Sequence, residues 1–314
     1  MMDSQTVINF LIVMVQSSTP LIFATLGEIL TEKVGNLNLG VEGMMLMGAV
    51  IGFQVGYTTS NPFIAIAAAV IAGMIGSLIY AFLTVSLRTN QVVTGLALTI
   101  FGAGFAGYVG QEYAGKRISE ELINYFAKTK LPLLGDIPVI GKIFFEQDIL
   151  VYFAYVCVIG LAFYINRTRF GLNLRAVGQN PAAADASGIN VSLYKYIHIA
   201  MGGALAGLGG VYLSLVYIEG WKENITAGRG WIAVALVIFA TWHPFRALIG
   251  ALFFGGLSVL GVYLQEYELP VSTYLFDMLP YLATVIVLVL ISLKKSRKNS
   301  PPASLGIPYF REDR

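Results

Sequence analysis

Long apolar runs, rather than alternation of apolar and polar positions, dominate this chain. Nine stretches, near 7–27, 39–58, 62–87, 92–110, 149–166, 195–218, 231–242, 248–265 and 273–293, approach or reach the length of a membrane-crossing helix. A hydrocarbon core takes about 20 helical residues. The seventh stretch is short and ends in Trp242-His243-Pro244, the pattern of a broken or re-entrant helix. Such a break is tolerated only where protein covers the loose backbone. The pattern predicts an all-α, polytopic transmembrane helix bundle of about nine spans, one membrane domain over 1–293 followed by a basic cytoplasmic tail, 294–314.

Composition sharpens that picture. Only 12% of the 314 residues are charged, and mean hydropathy is +0.72. Globular proteins carry about 25% charge to cover their surface, so most of this surface meets something other than water. A nucleic-acid binder, a secreted disulfide scaffold and a disordered tail are all excluded. The single cysteine, Cys157, has no intrachain partner. No Lys or Arg precedes Lys33, so the first span lacks the basic start of a signal peptide and is expected to stay.

Orientation follows from Lys and Arg. With nine spans and the run Lys294-Lys295-Ser296-Arg297-Lys298 inside, the inner segments hold thirteen cations and the outer ones seven. The N-terminus is then outside, 111–148 outside, and 167–194 inside. Within the sixth stretch, Met201 to Gly210 places small residues on more than one face. Between helices in lipid, small residues are what permit close approach, so these glycines predict tight packing of one bundle.

Catalytic chemistry is hard to find. Gly110 to Arg117 matches a phosphate-binding loop until its last position, where Arg117 replaces the hydroxyl that would hold magnesium. His198 and His243 stand apart with no metal-ligand spacing around them. No G-x-S-x-G elbow is present. Neither an enzyme active site, nor a metal, nor a cofactor is expected, and nucleotide chemistry would belong to another chain.

Two polar segments are more informative. The first, Arg169 to Lys195, is basic and cytoplasmic by the charge count. In it Asn180 is a good N-cap, Pro181 suits the first helical position, Ala182 to Ala186 are helix formers and Gly188 fits the stop. A helix of about two turns cannot persist alone in water. Either it lies flat on its own bundle or it is a knob that docks into a cytoplasmic protein, with Arg175 and Asp185 the charges best placed to reach a partner. The second segment, Gly35 to Met47, opens the second span, with Glu42 at or just inside the membrane boundary. An unpaired charge there costs a few kcal/mol. Glu42 either pairs with Lys33 or caps a helix, or else it serves the transport path.

The stretches GEILTEKVGNLNLGVEGMMLMGA (27–49), NQVVTGLALTIFG (90–102), GLNLRAVGQNPAAADASGINV (171–191), GRGWIAVALVIFATWHPFRALIGALFFG (228–255) and PPASLGIPYF (301–310) resemble permease subunits of bacterial ABC importers. The nearest branch is the simple-sugar/nucleoside group that works with basic-membrane-protein-type lipoproteins. The resemblance runs over essentially the whole chain. It implies the ABC importer permease fold in a bacterial plasma membrane. Cytoplasmic ATP-binding subunits, a second and often different permease, and an extracytoplasmic solute-binding lipoprotein are the partners it implies. It also makes 169–194 the ATPase-coupling segment, with Arg175, Asn180, Pro181, Ala183, Asp185 and Gly188 as its residues. Ala240-Thr241 stands where the family often has Gly-Arg.

The solute so implied is a nucleoside, with ribose or galactose as the alternative. Asn38, Glu42, Asn90, Gln91, Thr94 and Trp231 are the polar or aromatic residues at helix starts that a solute path would use. An ion-coupled secondary transporter is the competing class. It would want intramembrane carboxylates at matching places in two halves, for which only Glu42 and Asp277 are candidates.

Overall fold

In the computed structural model, residues 4–265, 275, 278–293 and 300–311 are described; Asp277 and the basic run 294–298 lie outside them. The chain is a helical bundle. Its helices are α1 (Ser4–Lys33), α2 (Val41–Thr59), α3 (Pro62–Ala81, ending in a π turn over Phe82–Ser86), α4 (Gln91–Gly110), α5 (Glu120–Tyr125), α6 (Ile140–Phe144), α7 (Ile149–Arg167), α8 (Arg169–Gln179), α9 (Pro181–Ala186), α10 (Val191–Tyr212, ending in a second π turn over Leu213–Tyr217), α11 (Arg229–Phe239), α12 (Pro244–Gln265) and α13 (Leu279–Leu293). The segment 111–148 carries α5, α6 and a small antiparallel pair, β1 (Thr129–Lys130) with β2 (Glu146–Gln147).

Among the described residues, six helices are long and apolar enough to cross a membrane: 5–33, 62–86, 91–113, 149–167, 191–217 and 244–261. The other three expected spans fall short for identifiable reasons. In α2, Glu42, Gln54 and the glycines dilute the apolar run. The described part of α13 has 15 residues. Only 11 residues make up α11, in keeping with a broken seventh stretch.

The bundle is built around α10, which packs on α1, α2 and α3 through glycine. A Cβ on Gly202 would run into Thr31 Oγ1 and Gly27 O of α1, and one on Gly203 into Ser77 and Gly73 of α3. On Gly207 it would strike Ala69 O of α3, and on Gly210, Met45 O of α2. Three neighbours thus touch the backbone of one helix from different sides, the arrangement the small residues of 201–210 predicted. His198 is buried among rings, with Nε2 2.8 Å from Tyr164 OH and Nδ1 2.7 Å from Tyr194 O. It is a packed core histidine.

Candidate functional site

Between α1 and α2 the chain does not run over the surface. Residues 36–41 form an irregular segment in which every side chain except Leu37 and Leu39 is buried. Backbone polar groups buried in this way need partners, and helices on three sides supply them. Leu37 N donates to Gln91 Oε1 at 2.7 Å, and Tyr80 OH donates to Leu37 O at 2.6 Å. Asn38 N donates to Glu28 Oε1 at 3.1 Å, and Thr99 Oγ1 donates to Leu39 O at 2.9 Å. Asn38 Oδ1 accepts from Gly40 N at 2.9 Å, closing the turn that starts α2. Gly95 of α4 lets the two backbones touch, since a Cβ there would press on Leu39 N.

In the first turn of α2, Glu42 takes three donors. Oε1 accepts from Thr226 Oγ1 at 2.5 Å and Gly228 N at 2.8 Å, and Oε2 accepts from Gly230 N at 2.6 Å. These groups, 184 to 188 residues further along the chain, form the entry and first turn of α11, so the carboxylate caps that helix, where unsatisfied N–H groups and the helix dipole favour an acceptor. Capping was one of the two structural roles open to Glu42; no pairing with Lys33 occurs. The other end of α11 leads to Trp242, whose Nε1 donates to Glu32 Oε2 at 2.6 Å. Eleven residues span about 16 Å, roughly half a hydrocarbon core of about 30 Å. Glu42 and Glu32 thereby hold the two ends of this short helix. The start of α11 is a helix N-terminus reached by an irregular approach, Lys222 to Ala227.

Of the six residues expected along a solute path, five serve the backbone. Asn38, Glu42 and Gln91 act as described. Asn90 caps α4, accepting from Val93 N at 3.1 Å, and Thr94 bonds Asn90 O at 2.8 Å and Thr89 Oγ1 at 2.9 Å. Trp231 presents its side chain outward, 37% exposed on the first turn of α11, and Asn90 is exposed as well. The sequence reading missed two carboxylates. Glu28 and Glu32 are each 1% exposed, one turn apart on α1, and among the described residues neither forms a salt bridge. Placing the end of the first span at residue 27 hid them; the helix runs on to Lys33. Just beyond α11, partial burial together with Arg246 and Lys33 holds the His243 imidazole below its ordinary range.

The segment 169–194 takes the local form its residues dictate. Asn180 Oδ1 accepts from Ala183 N at 3.0 Å, Pro181 opens α9, and Gly188 ends it at φ +83°. Ile189 N returns to Ala184 O at 3.1 Å, the six-to-one bond of a left-handed stop. Ala183 and Ala186 are exposed and Ala184 is buried. Arg175 lies in a groove with Lys33, Gln179 and Pro302, its Nε 3.3 Å from Gly171 O. Asp185 differs from expectation. Its Oδ2 accepts from Tyr309 OH at 2.9 Å and lies 3.2 Å from Arg311 Nε, so it is held by this chain's own C-terminal segment.

Six helices long and apolar enough to cross a membrane, packed through glycine, describe a membrane protein, and comparison with known proteins agrees. The family model described as branched-chain amino acid transport system / permease component matches residues 9–288. The chain belongs to this permease family. It is a multi-pass protein of the plasma membrane and a transport subunit, whose family works with ATP-binding subunits and other components.

Three relatives are 36% identical to it. The guanosine ABC transporter permease NupQ of Bacillus subtilis aligns over 95% of both chains. The nucleoside ABC transporter permease NupC of Lactococcus lactis aligns over 94% of both. TsgC13 of Haloferax volcanii, provisionally named a glucose ABC transporter permease, aligns over 95% of this chain and 96% of its own.

Proposed function

We propose that this permease carries nucleosides inward as one half of the membrane domain of an ATP-driven importer. In this reading it crosses the membrane nine times with its N-terminus outside. A second permease stands beside it, separate ATPase chains bind below, and a solute-binding lipoprotein delivers from above. The names of NupQ and NupC support the nucleoside. TsgC13, at the same identity, supports a simple sugar as the second reading.

The observation that carries the mechanism is α9. Six residues are too few to hold a helix in water, yet this one is capped at both ends and turns Ala183 and Ala186 outward. An alanine face of that size fits a groove. ATP-driven closure of the ATPases would push on it, and the push would enter the bundle through α8 and α10. Arg175, Asn180, Pro181, Ala183, Asp185 and Gly188 are the residues of this coupling element. Asn180, Pro181 and Gly188 build it, Ala183 faces the partner, and Asp185 anchors it from behind. Solute would pass the start of α11, where Trp231 can stack on a base.

The test is uptake of uridine, guanosine and ribose by the complete transporter in proteoliposomes, with Ala183→Trp and Gly188→Val beside the native chain. Ala183→Trp should block seating and remove the ATPase from the purified complex. A β-branched residue forced to the positive φ of Gly188 costs roughly 1–2 kcal/mol and should do so in part. Full ATP-coupled uptake in Ala183→Trp would refute the coupling role, and ribose preferred over both nucleosides would refute the solute.

A further inference from the structure

The motif PPASLGIPYF near the C-terminus has no part in the reading above. It does not trail away from the bundle. Residues 300–311 lie across the base of the coupling element and touch four parts of the molecule.

Ser304 donates twice to one acceptor: its N and its Oγ lie 3.0 and 2.7 Å from Gly178 O. Gly178 is in the last turn of α8, where carbonyls have no partner within the helix, so Ser304 supplies what α8 lacks. Gly306 N donates to Gly35 O at 3.3 Å, in the turn between α1 and α2. Tyr309 OH and Arg311 Nε hold Asp185 of α9. Phe310 lies under the Arg88 guanidinium, 4.6 Å from the ring centre, just past α3. Backbones meet closely here. A Cβ on Gly178 would run into Lys33 O, and one on Gly35 would lie 2.5 Å from Ser304 Oγ. Ser304 is 7% exposed and Pro302 is buried.

We propose that residues 300–311 are a positioning strap of the coupling machinery, with Ser304 and Tyr309 as its positioning residues. The strap fixes the angle of α9 and carries its displacement to the 36–41 segment. The proposal rests on the coupling role of α9. A six-residue helix transmits force only through what holds it. Its covalent neighbours lead to α8 and α10, while its only charged side chain leads into the strap. From Asp185 the strap runs back to Gly35, and three residues on, Asn38 N is bonded to Glu28. A push on α9 thereby reaches the buried entry to α2 by a route separate from α10. The contacts are unequal. Asp185 keeps 15% of its side chain exposed, whereas Arg311 keeps 74%, so the ion pair is mostly solvent-screened and contributes little. The Tyr309 hydroxyl and the two Ser304 bonds do the holding.

Ser304→Ala combined with Tyr309→Phe removes two of these bonds and leaves the outward face of α9 intact. In the complete reconstituted transporter, the ATPase should remain bound and ATP hydrolysis should continue, while solute imported per ATP falls at least about five-fold. Arg311→Ala, which removes only the screened pair, should stay within about two-fold of native. Spin labels at Ser187 and Ile307, in a Cys157→Ala background, should give one narrow distance distribution in the native strap and a broad one in the double variant. Tyr309→Phe alone serves if the double variant does not assemble. Native import per ATP in the double variant, or an unchanged narrow distribution, overturns the strap. Loss of the ATPase from that complex also overturns it, because the segment would then belong to the seat itself. Ala183→Trp, run in parallel, reports separately on α9: if that variant keeps its ATPase, the seat is elsewhere and the coupling role fails on its own.

Discussion

Glu42→Gln separates a structural from a transport role at the start of α2. The carboxylate accepts from Thr226 Oγ1, Gly228 N and Gly230 N, and it is 5% exposed. Glutamine can keep the two bonds at Oε1, but its amide nitrogen then faces the Gly230 N–H, donor against donor. A buried donor left unsatisfied costs about 1–3 kcal/mol. Weaker acceptance by a neutral amide from the other two donors, and a lost carboxylate at a helix N-terminus, add about 1 kcal/mol more. The sum is roughly 3 kcal/mol, which in a chain of this size lowers Tm by roughly 5–10 °C. Glu42→Asp keeps the carboxylate and shortens its reach, so it should lose less. Thermal unfolding in detergent, followed by tryptophan emission, reads this directly, because Trp231 and Trp242 sit at the two ends of α11. A Tm within about 1 °C of native for Glu42→Gln, with uptake abolished, would refute the capping argument and return Glu42 to the solute path.

Two more predictions follow from packing and orientation. Gly207→Leu drives a side chain into the backbone of α3 at Ala69 and should prevent folded protein from accumulating in the membrane, overpacking costing about 1–3 kcal/mol or more. Gly160→Ala on the outer face of α7, where nothing lies within 4 Å of the added carbon, should express normally, as immunoblots of membranes would show. In a Cys157→Ala background, Ser187→Cys in intact cells should react only with membrane-permeant thiol reagents and Ala114→Cys also with impermeant ones; reversed labelling would overturn the orientation.

What sequence revealed here was what depends on neighbours along the chain. The stop at Gly188 and the cap at Asn180 involve residues at most five apart, so residue type and spacing suffice to find them. The glycines of 201–210 were legible as a packing surface for the same reason, although not which helix each one touches. Long-range partners were not legible. The donors to Glu42 lie 184 to 188 residues away, and the Asp185–Tyr309 bond closes 124. Nothing local in either carboxylate says whether its acceptors face a solute, a partner or the chain itself. Glu28 and Glu32 were hidden by a different limit. A hydropathy boundary marks where apolar residues stop, whereas the helix continues as long as burial and hydrogen bonds support it.

Residues 36–41, the strap and the start of α11 are one problem solved three times. Each is a non-helical segment, and each is held by groups from elsewhere in the sequence: the Gln91, Tyr80 and Thr99 side chains for the first, the Gly178 carbonyl and the Asp185 carboxylate for the second, the Glu42 carboxylate for the third. Helices that pack through glycine backbones have little freedom to slide, since any shift of α10 meets α1, α2 and α3 at once. Irregular segments held by a few directed hydrogen bonds can change partners without disturbing that packing. The same bonds that make them expensive to build therefore make them the places where a conformational change can enter. Helix α9 adjoins one of them, the strap, and the strap adjoins the next. A push from below would then travel through breaks in the helices, leaving the glycine-packed core around α10 as the fixed frame against which they move.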